Sequence, residues 1–330
     1  MDYYEAVAVQ PSRLEASAAT MRSALGAADV APWRAGVLAV VSMGASSHAG
    51  HAFALRLARN GRRVVNVTAS AFLDAGRGDL ADCYLFVSEG GRSRETIQAA
   101  QLADGPRLVL TNAPASPLAQ VADAVIDLGH GADSKVYTVG YTATLQALGL
   151  LASALDGADD GDDWAALPSR LAALVSARLD GAALFDGATS IDFVGAAASY
   201  ATAAEGALLL RESARISTAT YETYQYLHGP MEPLDASSGC VLFGDGREVA
   251  LAQYVAGTGA RTVLITTADV PSTAGLQVVR VPAAPAMSRA VLEIAPVQVI
   301  AGELARARGL GIDGFRHHQD DTKVDEIPAR

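Results

Sequence analysis

Apolar residues along this chain fall in short unbroken runs rather than in alternation. Val37-Leu38-Ala39-Val40-Val41, Cys83-Tyr84-Leu85-Phe86-Val87, Leu108-Val109-Leu110 and Val125-Ile126 are each bounded by polar or glycine-containing turns. Such runs are expected of strands buried on both faces, whereas a half-exposed strand alternates. Stretches at helical spacing separate them: one over 47–60 that stops at Gly61, one over 94–102, and an apolar one over 141–155. The pattern predicts strands at 37–42, 64–68, 83–88, 108–111 and 125–128. Strands alternating with helices imply a parallel sheet covered by helices on both sides. Leu14, Met21 and Leu25, also at helical spacing, predict a lead-in helix within residues 1–30.

The same plan recurs. Val41-Ser42-Met43-Gly44-Ala45-Ser46 is similar to Phe193-Val194-Gly195-Ala196-Ala197-Ala198-Ser199, with Gly44 and Gly195 standing 151 residues apart. The run at Cys83 returns at Cys240, the one at Leu108 at Val263, and the one at Val125 at Val278, at spacings of 157, 155 and 153. The helix over 141–155 has its counterpart over 297–308, where Val297, Ile300 and Leu304 mark one face. Four strands recurring in order indicate two copies of one unit. The expected organisation is a lead-in helix over 1–30, a first α/β domain over 31–158, a linker over 159–168 and a second α/β domain over 169–330. Each domain is expected to be a flavodoxin-like, doubly wound parallel sheet. The acidic join at 156–163 reads as a solvated linker, since it lacks the glutamate that would close a calcium loop.

Composition narrows the function. Half of the residues are hydrophobic and 18% charged, which excludes a disordered chain. There are 25 basic and 36 acidic side chains, a net charge of −11, without the basic stripe that nucleic acid demands. Two cysteines, Cys83 and Cys240, each within an apolar run, fit reduced core thiols. No signal peptide is visible, and no run approaches the roughly 18 apolar residues of a membrane span. A cytoplasmic protein without a nucleic-acid or membrane partner is expected. His48 and His51 have no accompanying cysteine or carboxylate ligands, so no metal site is expected.

In an open parallel sheet, ligands bind where strands turn into helices at their carboxyl ends. Two such turns are rich in glycine and serine. The first, Ser42-Met43-Gly44-Ala45-Ser46-Ser47, offers backbone N–H groups and hydroxyls suited to an anion. It has neither the glycine spacing of a dinucleotide site nor the lysine of a P-loop. The second, Ser88-Glu89-Gly90-Gly91-Arg92-Ser93-Arg94-Glu95-Thr96, adds two arginines. Ser93 can equally be a plain helix cap with both arginines in water.

These turns, with Thr111-Asn112, Ser116-Pro117-Leu118-Ala119, Ala122-Asp123, Glu205-Gly206-Ala207-Leu208, Arg211-Glu212 and His228-Gly229-Pro230, resemble the double sugar isomerase (SIS) domain family. The likeness is to the isomerase half of glutamine–fructose-6-phosphate transaminase and to stand-alone phosphosugar isomerases and deaminases. It covers nearly the whole chain, the duplication included. The resemblance implies a phosphosugar held by Ser46, Ser88 and Ser93, with Ser47, Glu89 and Gly91 in the same turns and backbone help near Val136 and Thr138. It implies Glu212 as the proton-shuttling carboxylate, Glu205 as its partner, His228 as the ring-opening histidine and Lys323 as the lysine closing the site. A homodimer is implied, with His228 reaching the neighbouring subunit, and no metal or redox cofactor. The residues themselves agree in part: Glu205, Leu209 and Glu212 lie at i, i+4 and i+7, hence on one helix face. Apolar neighbours there should desolvate a carboxylate and raise its pKa. Both glutamates can equally be surface residues, His228 a turn residue and Lys323 a solvated lysine of a polar tail.

Departures from the family pattern are specific. The usual S-x-S-G loop reads Ser88-Glu89-Gly90-Gly91, which loses a hydroxyl and gains a carboxylate. Like charge should cost phosphate affinity unless Glu89 turns away or pairs with Arg92 or Arg94. Leu209 and Gly140 stand where the transaminase has lysines. The chain starts at the first unit without a catalytic N-terminal cysteine, so no use of glutamine is expected. The reaction expected is aldose–ketose isomerisation or amino sugar phosphate deamination, leaning to the latter. The other reading is a sugar-phosphate sensor without turnover.

Overall fold

The computed structural model describes residues 1–157, 164–312 and 314–328. The acidic join lies mostly in 158–163, outside the described residues. The chain divides into two compact units, each built on its own five-stranded parallel sheet.

One unit comprises Ser12–Ala132, Val139–Ala165 and Arg316–Arg330. Most of helix α1 (Tyr3–Ala27) belongs to it. Its core elements follow in chain order as β1 (Val37–Ser42), α2 (Gly44–Arg59), β2 (Arg63–Thr68), α3 (Ala69–Ala75), β3 (Cys83–Val87), α4 (Arg94–Leu102), β4 (Arg107–Thr111), α5 (Pro117–Gln120), β5 (Ala124–Asp127) and α6 (Val139–Asp156). The strand order is β2-β1-β3-β4-β5, the flavodoxin-like order. Successive side chains of a strand point to opposite faces, so a strand covered on both sides must be apolar throughout. Ala39, Val41, Tyr84, Phe86 and Val109 pack with Phe72 of α3 and Ile97 of α4 in one buried cluster. Leu38, Val40, Leu85, Leu108 and Leu110 are equally buried on the alternate positions. At the ends of α2 and α6, Arg56 and Asp156 form a 2.8 Å ion pair that is almost wholly buried.

The other unit comprises Met1–Pro11, Asp133–Thr138 and Ala166–Phe315. After the short helices α7 (Leu167–Val175) and α8 (Gly181–Leu184) come β6 (Ser190–Gly195), α9 (Ser199–Ser213), β7 (Ser217–Glu222), α10 (Thr223–Tyr226), β8 (Ser238–Phe243), α11 (Arg247–Gly257), β9 (Arg261–Thr266), β10 (Leu276–Arg280) and α12 (Ala286–Ala307). The order β10-β9-β8-β6-β7 is the same topology in the second copy. Val194, Cys240, Leu242 and Leu264 pack under α11 with Leu251 and Val255. Helices α9 and α12 cross closely, and a Cβ on Gly206 would sit 2.7 Å from the Phe193 ring, so only glycine fits there. The first turns of α1 lie along α12: the Tyr3 hydroxyl donates to the Gln298 carbonyl at 2.9 Å and that of Tyr4 to the Gly302 carbonyl at 3.0 Å.

Helix α12 begins at Ala286 and runs through Pro296, well before the predicted start at 297. Both cysteines are buried free thiols, and burial pushes each up from its ordinary pKa.

Candidate functional site

In the first sheet the strand order places β1 beside β3, and the connections from these two strands part to opposite faces. That is the switch point where a crevice opens at the carboxyl edge. Helix α2 starts there at Gly44, whose φ of +54° is one that L side chains rarely adopt, and no side chain caps it. The hydroxyls of Ser46 and Ser47, in its first turn, have no protein partner among the described residues. Ser42, at the end of β1, is fully buried with its hydroxyl unpaired.

The turn after β3 supplies the facing wall. The Ser88 hydroxyl has no protein partner among the described residues. Gly91 has a φ of +60°, and a Cβ on it would collide with the Ser116 hydroxyl. Ser93 occupies the cap position of α4 without capping it. Its hydroxyl instead donates to Glu95 Oε2 at 3.3 Å and accepts from Thr96 Oγ1 at 3.0 Å. Two helix N-termini without side-chain caps therefore meet one switch point, with backbone N–H groups and the positive ends of both dipoles there.

Both arginines meet the C-terminal segment. Residues 322–324 pair with residues 92–94: the Arg94 N–H donates to the Thr322 carbonyl at 3.1 Å and the Val324 N–H to the Arg92 carbonyl at 2.9 Å. Ser93 and Lys323 are bridge partners in that pairing. The Arg92 guanidinium forms an ion pair with Asp325, and Arg94 Nη1 reaches the Asp321 carbonyl at 3.5 Å. Lys323 is exposed, its backbone fixed against the cap of α4.

Glu89 pairs with neither arginine. It turns along the carboxyl edge of the sheet toward the ends of β4 and β5. There its Oε1 lies 3.2 Å from Nε2 of the buried His130 and accepts from Asn112 Nδ2 at 3.3 Å. Asn112 also donates to the Gly131 carbonyl at 2.8 Å and accepts from the His130 N–H at 3.2 Å. Neither His130 nor its pairing with Glu89 was foreseen, since the partners are far apart in sequence and His130 sits in an unremarkable Gly-His-Gly loop.

The remaining predicted residues belong to the other unit. Glu205 and Glu212 lie on α9, Glu205 buried and Glu212 half-buried, with Leu209 buried between them. Val136 and Thr138 are buried in the Asp133–Thr138 segment. There the Thr138 N–H and hydroxyl both donate to Asp133, each at 2.9 Å. His228 is exposed just after α10, its N–H donating to the Gln225 carbonyl at 3.0 Å. Among the described residues no cluster of three or more His, Cys, Asp or Glu could hold a metal ion, and no helix is long and apolar enough to cross a membrane.

The second sheet has its own switch point, between β6 and β8, filled by charged side chains. Asp245, just after β8, accepts from Arg289 Nη1 at 2.5 Å, from the Thr266 hydroxyl at 2.8 Å and from the Thr267 N–H at 2.7 Å. Arg289 Nε also donates to Glu293 at 2.7 Å, and Glu293 accepts from Ser199 and Thr202. Burial pushes the Asp245 carboxyl up, but these hydrogen bonds outweigh it and hold it well below the usual carboxylate range. Burial dominates at Glu293, which is raised despite Arg289.

Comparison with known proteins agrees with this architecture. The family model described as SIS domain matches residues 33–154 and again 184–307. The isomerizing glutamine–fructose-6-phosphate aminotransferase of Bradyrhizobium diazoefficiens is 28% identical over 318 residues, covering 87% of this chain and 52% of that protein. The chain thus spans about half the length of the curated relatives it matches. Among solved structures, tagatose-6-phosphate ketose/aldose isomerase from Escherichia coli superposes with a TM-score of 0.78 at 17% identity, covering 97% of either chain. Glucosamine-6-phosphate deaminase from Thermotoga maritima gives 0.73 at 15% identity, covering 94% of this chain and 98% of that one. At such identities the two structures speak for the fold alone. With both α/β units matched in tandem, this chain belongs to the SIS domain family.

Proposed function

We propose that the chain binds a phosphosugar at the β1/β3 switch point and catalyses proton transfer between C1 and C2 of the open-chain sugar. With an amino sugar phosphate this releases ammonia. The observation that carries the reading is the pairing of residues 322–324 with 92–94. It sets Lys323 at the rim of a turn whose Ser88 hydroxyl has no protein partner among the described residues and whose helix has no side-chain cap. Ser46, Ser47, Ser88, Gly91 and Ser93 are assigned to anchoring the phosphate.

The assigned chemistry needs a proton carrier and a group to open the ring. His228 is assigned to ring opening, and Glu212 to taking the proton from C2 and returning it at C1, with Glu205 in support. Buried surroundings on α9 suit that work. For an amino sugar the enolamine becomes an imine, water adds at C2, and ammonia leaves with a ketose phosphate as the other product. The segment at Val136 and Thr138 is assigned to substrate positioning. A homodimer in which His228 serves the neighbouring subunit's sugar completes the proposal.

The test is ammonia release from glucosamine 6-phosphate, with unphosphorylated glucosamine alongside. Glu212→Gln is expected to lower kcat by about 10²–10⁴ while phosphosugar binding persists. Binding without turnover in the unaltered chain, for amino sugar and ketose phosphates alike, would overturn the catalytic assignment in favour of a sensor.

A further inference from the structure

The turns that follow β3 and β8 occupy the same place in their two sheets, and their main chains correspond bond for bond. Val87 pairs with Leu110, and Phe243 with Ile265. The next N–H, of Ser88 or of Gly244, donates to that partner's carbonyl at 3.1 Å in both units. Thr111 and Thr266 come next on the neighbouring strands, their hydroxyls accepting from the Ala113 N–H at 3.1 Å and the Ala268 N–H at 3.0 Å. An acidic residue stands second after each strand, Glu89 in one unit and Asp245 in the other.

The difference lies in which group meets the two donors at the end of the neighbouring strand. In the second unit the Asp245 carboxylate takes both, the Thr266 hydroxyl at 2.8 Å and the Thr267 N–H at 2.7 Å. In the first unit the equivalent donors, the Thr111 hydroxyl and the Asn112 N–H, go to the main-chain carbonyl of Glu89 at 3.0 Å and 2.8 Å. The Glu89 carboxylate, one methylene longer, passes them and ends 3.3 Å from the Asn112 amide nitrogen and 3.2 Å from His130 Nε2. A carboxylate is a stronger acceptor than a peptide carbonyl, so a short one takes these donors and displaces the carbonyl. With its carbonyl on the donors, the turn lies against the end of β4. It then closes on α5 at Gly91, whose carbonyl accepts from the Leu118 N–H at 3.1 Å and where a Cβ would meet the Ser116 hydroxyl.

We propose that Glu89 is a positioning residue of the 88–93 turn: its length, with Asn112 and His130 to receive it, keeps the carbonyl on the β4 donors and so sets where Ser88 and the N–H groups of the turn stand. The role belongs to the reach of the side chain rather than to its charge. It deepens the reading that this turn anchors a phosphosugar, and rests on it.

The experiment is calorimetric titration of the full chain with glucosamine 6-phosphate. It compares the unaltered protein with Glu89→Gln, Glu89→Asp, Glu89→Asn and Ser93→Ala. The first keeps the length and removes the charge, the second does the reverse, and the third is both short and neutral. Glu89→Gln is expected to keep Kd within about twofold, while Glu89→Asp weakens binding about tenfold and Glu89→Asn, the weaker acceptor, about fivefold. Stoichiometry should stay full throughout, whereas a merely weakened fold would lower the bound fraction at unchanged Kd. Glu89→Asn decides the matter should Glu89→Asp fail to fold. Unchanged Kd in the short variants, or a loss in Glu89→Gln equal to theirs, together with weaker binding in Ser93→Ala, would overturn the role of Glu89 and leave the phosphosugar reading standing. No binding by any of these proteins would bring down that reading and this proposal with it.

Discussion

The two switch points share a topology and differ in what fills them. Between β1 and β3 the chain offers glycines and the Ser46, Ser47 and Ser88 hydroxyls, which have no protein partner among the described residues. Between β6 and β8 the equivalent corner holds Asp245, Arg289 and Glu293 in one hydrogen-bonded cluster. An edge of backbone donors attracts an anion wherever this topology occurs. In the second copy Asp245 is that anion: it takes the Thr267 N–H and the Thr266 hydroxyl as a ligand would. Duplication thus kept the framework in both units, while one copy fills this corner with a carboxylate of its own and the other carries hydroxyls there.

The sharpest way to break this comparison is Arg289→Met. Removing the shared cation strands two carboxylates, one of them fully buried, and should cost about 3 kcal/mol in chemical denaturation. The matched change in the first unit, Arg92→Met, removes an exposed pair and should cost less than about 1 kcal/mol. Equal costs would erase the distinction between the two corners.

Next in size is the loss of hydroxyls. Ser88→Ala combined with Ser93→Ala should weaken glucosamine 6-phosphate binding about 30-fold, or about 2 kcal/mol. Ser199→Ala, at the equivalent corner of the second sheet, should leave binding unchanged and lower stability by about 1 kcal/mol, through its lost bond to Glu293. Gly44→Ala should cost about 1 kcal/mol of stability. A Cβ there meets nothing, so only the strain of a positive φ remains.

The smallest effect is on acid stability. Asp245 has a folded pKa below its ordinary 3.8, so the unfolded chain binds more protons in that window. Its contribution is present in full above the unfolded value and is lost as pH falls through the folded one. Thermal melts between pH 5 and pH 2 should therefore fall less steeply in Asp245→Asn than in the unaltered protein. Screening keeps the difference small, since Asp245 is about one-third exposed. Glu293 runs the other way: its pKa is raised, so its ionisation lowers stability as pH rises above 4.5.

The central strands were legible because strands covered on both faces must be apolar throughout, as Val37-Leu38-Ala39-Val40-Val41 and Cys240-Val241-Leu242-Phe243 are. Repetition of those runs disclosed the tandem organisation. Edge strand β7, Ser-Thr-Ala-Thr-Tyr-Glu, went unread because one partner and a half-exposed surface do not demand apolar residues. The seven-residue helix α3 was too short to show a period. At the candidate site, glycines and serines after a strand could be read from local order. The partners of Glu89, Arg92 and Asp245 could not, because Asn112, His130, Asp325 and Arg289 arrive through the fold from distant stretches. Gly244-Asp245-Gly246 looks like an ordinary turn until Arg289 is seen against it.

The self-supplied anion at Asp245 also decides how the two units respond to a solute. A ligand that binds only the folded first corner adds RT ln(1 + [L]/Kd) to that corner's resistance to opening, about 2.7 kcal/mol at a hundredfold excess over Kd. At the second corner Asp245 already takes the Thr267 N–H and the Thr266 hydroxyl, so a ligand bound only at the first corner adds nothing there. Under saturating phosphosugar, amide exchange should slow around β1 and β3 and stay unchanged around β6 and β8. The free and bound forms would then differ in which half of the molecule opens first.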